Sequence, residues 1–206
     1  MLPLLPHAFA DLSEDFHTQQ NWEGFDNPFV VTENSDLKNE LGINNIDSQK
    51  LLNIFNGTDK IESLKPLSMV YSGHQFGQYV EQLGDGRGLL LGQMSSDDGL
   101  IDVHLKGAGK TPYSRFGDGR AVLRSVIREY LCGEAMHALS IPTSRALMIV
   151  GSDEMVIREK SEAAAMLVRT AKTHIRFGSF EYFHYNNQPE NVKALADFCI
   201  DQYPAY

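Results

Sequence analysis

The stretch HLKGAGKTPYSRFGDGR, residues 104–120, contains Gly-Ala-Gly-Lys-Thr, which reads like the end of a phosphate-binding P-loop. A P-loop needs a further Gly five positions before the last one, and His104 stands there instead of glycine. It also needs a strand that runs straight into a helix whose N-terminus holds the phosphates. Here Pro112 follows Thr111, and Gly117 and Gly119 interrupt any helical pattern. The lysine better placed for phosphate chemistry is Lys106. It closes a segment in which Ile101, Val103 and Leu105 alternate with Asp102, His104 and Lys106. Upstream, Gly84, Gly86 and Gly88 in LGDGRG form a glycine-rich turn, and downstream Glu129 offers a carboxylate. A lysine held by a carboxylate is fixed in place and kept charged, so it meets a phosphate with little loss of side-chain entropy. The same residues also fit plainer roles. The glycines could serve a turn that needs positive φ, and Lys106 and Glu129 could be a surface ion pair or two unrelated charges. A G-x-G-x-x-G pattern from Gly84 would require glycine at 89, where Leu89 stands.

The chain has 206 residues, a hydrophobic content of 42% and a formal net charge of -9. This is enough chain for one large or two small domains with a real core, and the acidic balance argues against a general nucleic-acid binder. Between His104 and Arg128, however, Lys106, Lys110, Arg115, Arg120, Arg124 and Arg128 face one acid, Asp118. A local basic patch of that size suits a compact anion. Cys132 and Cys199 provide no disulfide framework and no metal spacing, and both read as buried small hydrophobes. The N-terminal MLPLLPHAFADL lacks Lys and Arg and is no signal or transit peptide. No apolar run reaches membrane-spanning length. A cytoplasmic location and no membrane partner are therefore expected.

These side chains need elements to position them. Residues 1 to about 35 read as an extended arm. Ser35–Leu41 and Asp47–Phe55 are expected as short helices, the second capped by Asp47 and ended by Asn56-Gly57. A strand is expected over Gly88–Met94, a turn over Ser95–Gly99, and a second strand over Leu100–Lys106. The best helix runs from about Gly119 to Leu139 with Asp118 as cap. Val122, Val126 and Tyr130, together with Leu123, Ile127 and Leu131, form its apolar stripe. Strand-like segments follow at Ser144–Val150, Met155–Arg158 and Ala165–Arg169, with a turn at Gly151–Glu154 between the first two. Residues 188–203 read as a last helix. His74 in SGHQFG reads as a hydrogen-bonded structural histidine.

The order is glycine turn, strand, hairpin, strand ending in Lys, helix containing Glu, then more strands. That is the order of the small nucleotide-binding lobe of protein kinases. Longer strings carry a more specific likeness. YSGHQFGQYVEQLGDGRGLLLGQ, HLKGAGKTPYSRFGDGRAVLRSVIREYLCGEAMHALSIPTSRAL and LVRTAKTHIRFGSFEYF resemble the selenoprotein O family over residues 65–185, with a weaker likeness in FDNPFVVTENSDLKNELGI.

The resemblance implies an α+β fold: a protein-kinase-like N-terminal lobe, with a small antiparallel sheet, a long helix and an extended arm. Residues 1–64 would be the arm and short helices, and 65–206 the nucleotide-binding lobe. It implies a protein adenylyltransferase that binds ATP and Mg2+ and transfers AMP to Ser, Thr or Tyr hydroxyls of proteins. By motif, it implies that Gly84, Gly86 and Arg87 lie against the nucleotide, that Lys106 contacts phosphate and pairs with Glu129, and that Asp118 and Gly119 close from the other side. Arg169 and Arg176 would hold the phosphates that leave as pyrophosphate. The family's catalytic Asp and metal ligands are expected beyond residue 206, in a second lobe, and no catalytic or metal-binding residue is expected within this chain. A truncated, catalytically inactive nucleotide-binding or interaction module is the alternative, and an ordinary protein kinase a third.

Overall fold

A computed structural model describes residues 2–96 and 99–203. In chain order it contains β1 (His17–Gln19), β2 (Phe29–Glu33), α1 (Ser35–Glu40), α2 (Ser48–Asn56), β3 (Leu67–Met69), β4 (Gly73–Gln75) and β5 (Gln78–Val80). There follow β6 (Gly88–Ser96), β7 (Gly99–Lys106), β8 (Ala121–Val122), α3 (Leu123–Ala138), β9 (Arg145–Ile157), β10 (Ser161–Ala171), α4 (Phe177–Tyr185) and α5 (Pro189–Gln202). No helix among the described residues is long and apolar enough to cross a membrane.

The first compact unit, Met1–Met69 with Asp85–His174, holds an α+β arrangement around one sheet in the order β1-β3-β6-β7-β10-β9-β2, with β8 also paired to β10. Every pairing in it is antiparallel. One face carries Leu89, Leu91, Val103, Leu105, Met166 and Val168 and is covered by α2 residues and the N-terminal Leu2, Leu4 and Phe25. The other carries Ala146, Ile149, Ala165 and Leu167, against which Val126 of α3 packs with Leu123 and Tyr130. The site described below lies on this second face.

The hairpin β6–β7 runs to Ser96 and resumes at Gly99. The rest of the turn expected at Ser95–Gly99, Asp97 and Asp98, lies outside the described residues. Asp47 caps α2 by accepting from the amides of Gln49 and Lys50, and Gly57 ends it in the left-handed region. Three expectations need correction. The helix starts at Leu123 rather than Gly119, because Gly119 has φ +74° and Ala121–Val122 are drawn into the sheet opposite Ala165 and Ala164. Asp118 therefore does not cap it. Its stripe is narrower than expected: Val126 is buried, but Ile127 and Leu131 are exposed. Gly151–Glu154 is not a turn but the middle of the 13-residue strand β9. A Cβ at Gly151 would lie 2.6 Å from the ring of Phe29 on β2, which packs over the glycine.

The second unit, Val70–Gly84 with Ile175–Tyr206, contains the β4–β5 hairpin and the helices α4 and α5. Phe76 and Gly77 both have positive φ, as a two-residue primed turn requires. Gly178 approaches the Ser72 carbonyl so closely that a Cβ would sit 1.9 Å from its oxygen, while the Ser72 amide donates to the Gly178 carbonyl at 2.8 Å. The sequence reading missed α4, since Gly178 stands in its first turn and FGSFEYFHY shows no one-sided apolar stripe.

Candidate functional site

β7 delivers Lys106 at its C-terminal end, and β10 places Arg169 opposite His104, two residues away on the same face. The helix α3 crosses that face and brings Glu129 between the two cations. Lys106 Nζ forms an ion pair with Glu129 Oε2, and Arg169 Nη1 donates to Glu129 Oε1 at 3.0 Å. One carboxylate is thus shared by two cations, all three partly buried. Two positive charges against one negative leave the cluster cationic, and Arg87 adds its own field.

The electrostatics follow from this geometry. Burial pulls the Lys106 ammonium below its ordinary pKa, with Arg169 and Arg87 acting in the same direction and Glu129 opposing them. Burial alone would raise the Glu129 carboxyl. The charge of Arg169 and the hydrogen bond from Lys106 outweigh it, so Glu129 stays ionised. Such a cluster can receive a polyanion: an arriving phosphate relieves the repulsion between the cations and gains charge-assisted hydrogen bonds.

The glycines have separate reasons. Of Gly84, Gly86 and Gly88, only Gly84 has positive φ, +56°. At Gly86 a Cβ would lie 2.7 Å from the Tyr113 carbonyl, because the Thr111–Ser114 turn packs on the glycine turn. Thr111 Oγ1 donates to the Asp85 carbonyl at 2.8 Å and Ser114 Oγ to the Gly86 carbonyl at 2.5 Å. At Gly88 a Cβ would lie 2.6 Å from Cε1 of His104. The loop containing GAGKT is closed by contact of two backbones, since a Cβ at Gly119 would fall 2.1 Å from the Gly109 carbonyl. Lys106 leaves an antiparallel strand, and residues 108–120 form turns and bends rather than a helix, so the P-loop context is absent. Lys110 is exposed.

The other candidates lie elsewhere. The carboxylate of Asp118 receives both Arg158 terminal nitrogens, at 2.7 and 2.9 Å, and the Arg120 amide at 2.9 Å. Gly119 forms the loop closure just described. Gly84 and Arg176 belong to the second unit, where the Arg176 guanidinium sits 4.7 Å over the Tyr71 ring. Arg87 is exposed, and its carbonyl accepts from the Gly107 amide at 2.7 Å. The basic patch read from sequence is partly dismantled. Arg120 is buried, forked on Glu154 at 2.8 and 3.0 Å and stacked 4.6 Å over Phe25, while Arg124 pairs with Glu162. Cys132 is exposed rather than buried, and His74 is exposed as well.

Sequence reasoning missed the polar groups beneath the cluster. His104 and Asp102 are both 1% exposed. Asp102 accepts from His7 at 2.8 Å, from Gln93 at 3.1 Å and from the His174 amide at 2.9 Å. Burial would raise its carboxyl, but the hydrogen bonds from His174 and His7 hold it below the ordinary range. The available signal was the alternation Asp102, His104, Lys106, which marks a polar face but not whether that face is covered.

A phosphate-bearing nucleotide fits these residues through the surplus positive charge. A magnesium site does not: among the described residues no group of three or more His, Cys, Asp or Glu could hold a metal ion. Glu129 and Asp118 are already engaged by cations.

The sequence profile of the family described as protein adenylyltransferase SelO matches residues 5–206. The chain belongs to this family. It is 51% identical over 196 residues to protein nucleotidyltransferase YdiU of Vibrio parahaemolyticus, which covers 95% of this chain and 40% of that protein. It is 51% identical over 191 residues to the protein of the same name from Enterobacter sp. (strain 638), covering 91% of this chain and 40% of the relative. For that of Erwinia tasmaniensis the identity is 52% over 188 residues, covering 90% and 39%. The chain thus spans about 40% of the length of these SelO-family relatives.

Proposed function

We propose that this chain is the nucleotide-binding part of a protein adenylyltransferase, which transfers AMP from ATP to Ser, Thr or Tyr hydroxyls of proteins. The observation that carries the reading is the shared carboxylate: Glu129 of α3 holding both Lys106 of β7 and Arg169 of β10. The succession β6, β7, α3, β9, β10 supports a kinase-like lobe, with a strand lysine and a helix glutamate in the roles that fold gives them. In this reading Lys106 and Arg169 face the phosphates, and Gly86 and Arg87 lie along the nucleotide. Asp118 and Gly119 shape the covering loop. The residues present do not supply a set of Mg2+ ligands; the proposal places these and the catalytic Asp in the part of the family protein that this chain does not span. Within this chain, Glu129 orients the lysine and keeps two cations at one spot without neutralising both.

A second reading is a nucleotide-binding module that transfers nothing. Incubation of the chain with ATP labelled at the α- or the γ-phosphate, with a protein mixture as acceptor, separates the readings. Label from the α but not the γ position on protein supports adenylylation. Label from γ alone supports a kinase and overturns the proposal. Nucleotide binding without transfer of either label supports the module.

A further inference from the structure

We propose that His104, aligned by Asp85, is a positioning residue: a fixed neutral acceptor that holds the Arg169 guanidinium in register with Glu129 and Lys106. The proposal rests on the reading of Lys106 and Arg169 as phosphate-facing groups.

The chemistry begins with what an arginine can do. Guanidinium nitrogens only donate. Arg169 Nη2 lies 3.0 Å from His104 Nδ1, so that ring nitrogen must present its lone pair. The ring proton then belongs on Nε2. That atom points to Asp85 Oδ1 at 3.6 Å, too long for a formed hydrogen bond but close enough for the carboxylate to favour a proton there. Asp85 is itself fixed, since its other oxygen accepts from the Met69 amide at 3.1 Å. The ring is further confined by stacking on His174, centroids 4.7 Å apart and planes 18° apart. It is confined again by Gly88, whose missing side chain leaves the space the ring occupies.

An imidazolium at this place would turn a donor toward a donor. The groups facing His104 are Arg169 from β10, Asp85 from the turn before β6, and His174 from the segment after β10. Burial and the Arg169 charge hold its pKa down to about 3, against the opposing pull of Asp85. The acceptor is therefore present at any physiological pH. Arg169 is gripped at two corners, Nη1 by Glu129 and Nη2 by His104, while Nε is buried with no hydrogen-bond partner among the described residues. Without His104, the guanidinium can rotate about the Glu129 contact, and the distance between the two cations is no longer set.

The test uses the whole chain and two isosteric probes. In His104→Asn the amide oxygen can stand near the position of Nδ1 and keep the acceptor. His104→Leu keeps volume but removes it. Long-range proton–nitrogen spectra of the parent should show His104 as the Nε2–H tautomer at neutral pH, with slowly rotating Arg169 Nη groups. In His104→Leu the Nη signals should average, and in His104→Asn they should not. Affinity for a non-hydrolysable ATP analogue, by calorimetry, should fall roughly tenfold in His104→Leu, the loss expected for one hydrogen bond to a charged group. It should stay within about threefold of the parent in His104→Asn. An Nδ1–H tautomer, unchanged Nη rotation in His104→Leu, or equal weakening by both folded variants would overturn the proposal. If His104→Leu does not fold, the parent and His104→Asn spectra decide. If the parent binds no analogue at all, the nucleotide reading fails, and the tautomer and Nη rotation still decide the positioning.

Discussion

Two ion clusters of the first unit use the same residue types to opposite ends. Beside the loop 109–119, three arginines each have their own carboxylate: Arg120 with Glu154, Arg158 with Asp118, and, on α3, Arg124 with Glu162. Arg120 also donates to the carbonyls of Glu23 and Gly24, so its donors are taken up inside the protein. Around Lys106 the ratio is reversed, with two cations on the single carboxylate of Glu129 and a guanidinium held partly by a neutral imidazole. A balanced fork staples segments together. A cluster with surplus charge keeps donors and field for an anion, which is the basis of the phosphate contacts proposed above.

Acidification should separate the two regions most. The folded pKa of His104 is about 3 against an ordinary 6.5, so between those values the unfolded chain binds more protons and stability rises with pH. The contribution is complete above about pH 6.5. It is lost as pH falls toward about 3, at up to about 1.4 kcal/mol per pH unit and roughly 5 kcal/mol in all. Glu129, also depressed, adds loss in the same direction below its ordinary range. Denaturant unfolding at several pH values should show this slope in the parent and a flatter one in His104→Asn. Equal slopes would mean that His104 does not titrate as its burial requires.

The next effect is on the stapled side. Arg120→Ala should cost about 3 kcal/mol of stability, because it strands Glu154 and two backbone carbonyls and removes the packing on Phe25. Nucleotide affinity, measured on the folded fraction, should change little. An equal loss of affinity and stability would show that the two clusters are not independent.

The smallest effect is on the surplus side. Lys106→Ala should weaken binding of an ATP analogue by about 1.5–3 kcal/mol if the lysine meets a phosphate. It should barely change the unfolding midpoint, since Arg169 retains Glu129. Lys110→Ala should leave both quantities as in the parent. Calorimetric titration of the three proteins at one salt concentration checks the ranking, and a loss of binding on removal of Lys110 but not Lys106 would reverse the assignment.

Much of this was legible in the chain. The two-residue alternation from Leu100 to Lys106 placed the lysine at a strand end, because strand periodicity is local. Asp47 and Gly57 marked the limits of α2 for the same reason, since caps act within a turn. The long strings around LGDGRG, HLKG and IREYL were enough to place the chain in its family. The start of α3 was misread because Ala121–Val122 has a partner more than forty residues away on β10, and no local pattern announces it. Gly151 looked like a turn residue when it was making room for a ring on β2.

The sequence by itself determined the residue types, the strand and helix periods and the family, because these depend on neighbours a few positions apart. Tertiary structure decided which charges remain in surplus. Arg120 and Arg169 are both arginines in basic surroundings, yet one is neutralised by Glu154 and the other shares Glu129 with Lys106. It also decided that the polar face of β7 is covered, so that His104 becomes a buried neutral acceptor rather than a solvated cation. Both outcomes depend on side chains brought together from positions 23 to 65 residues apart, and the cost of removing a charge from water exists only once they meet.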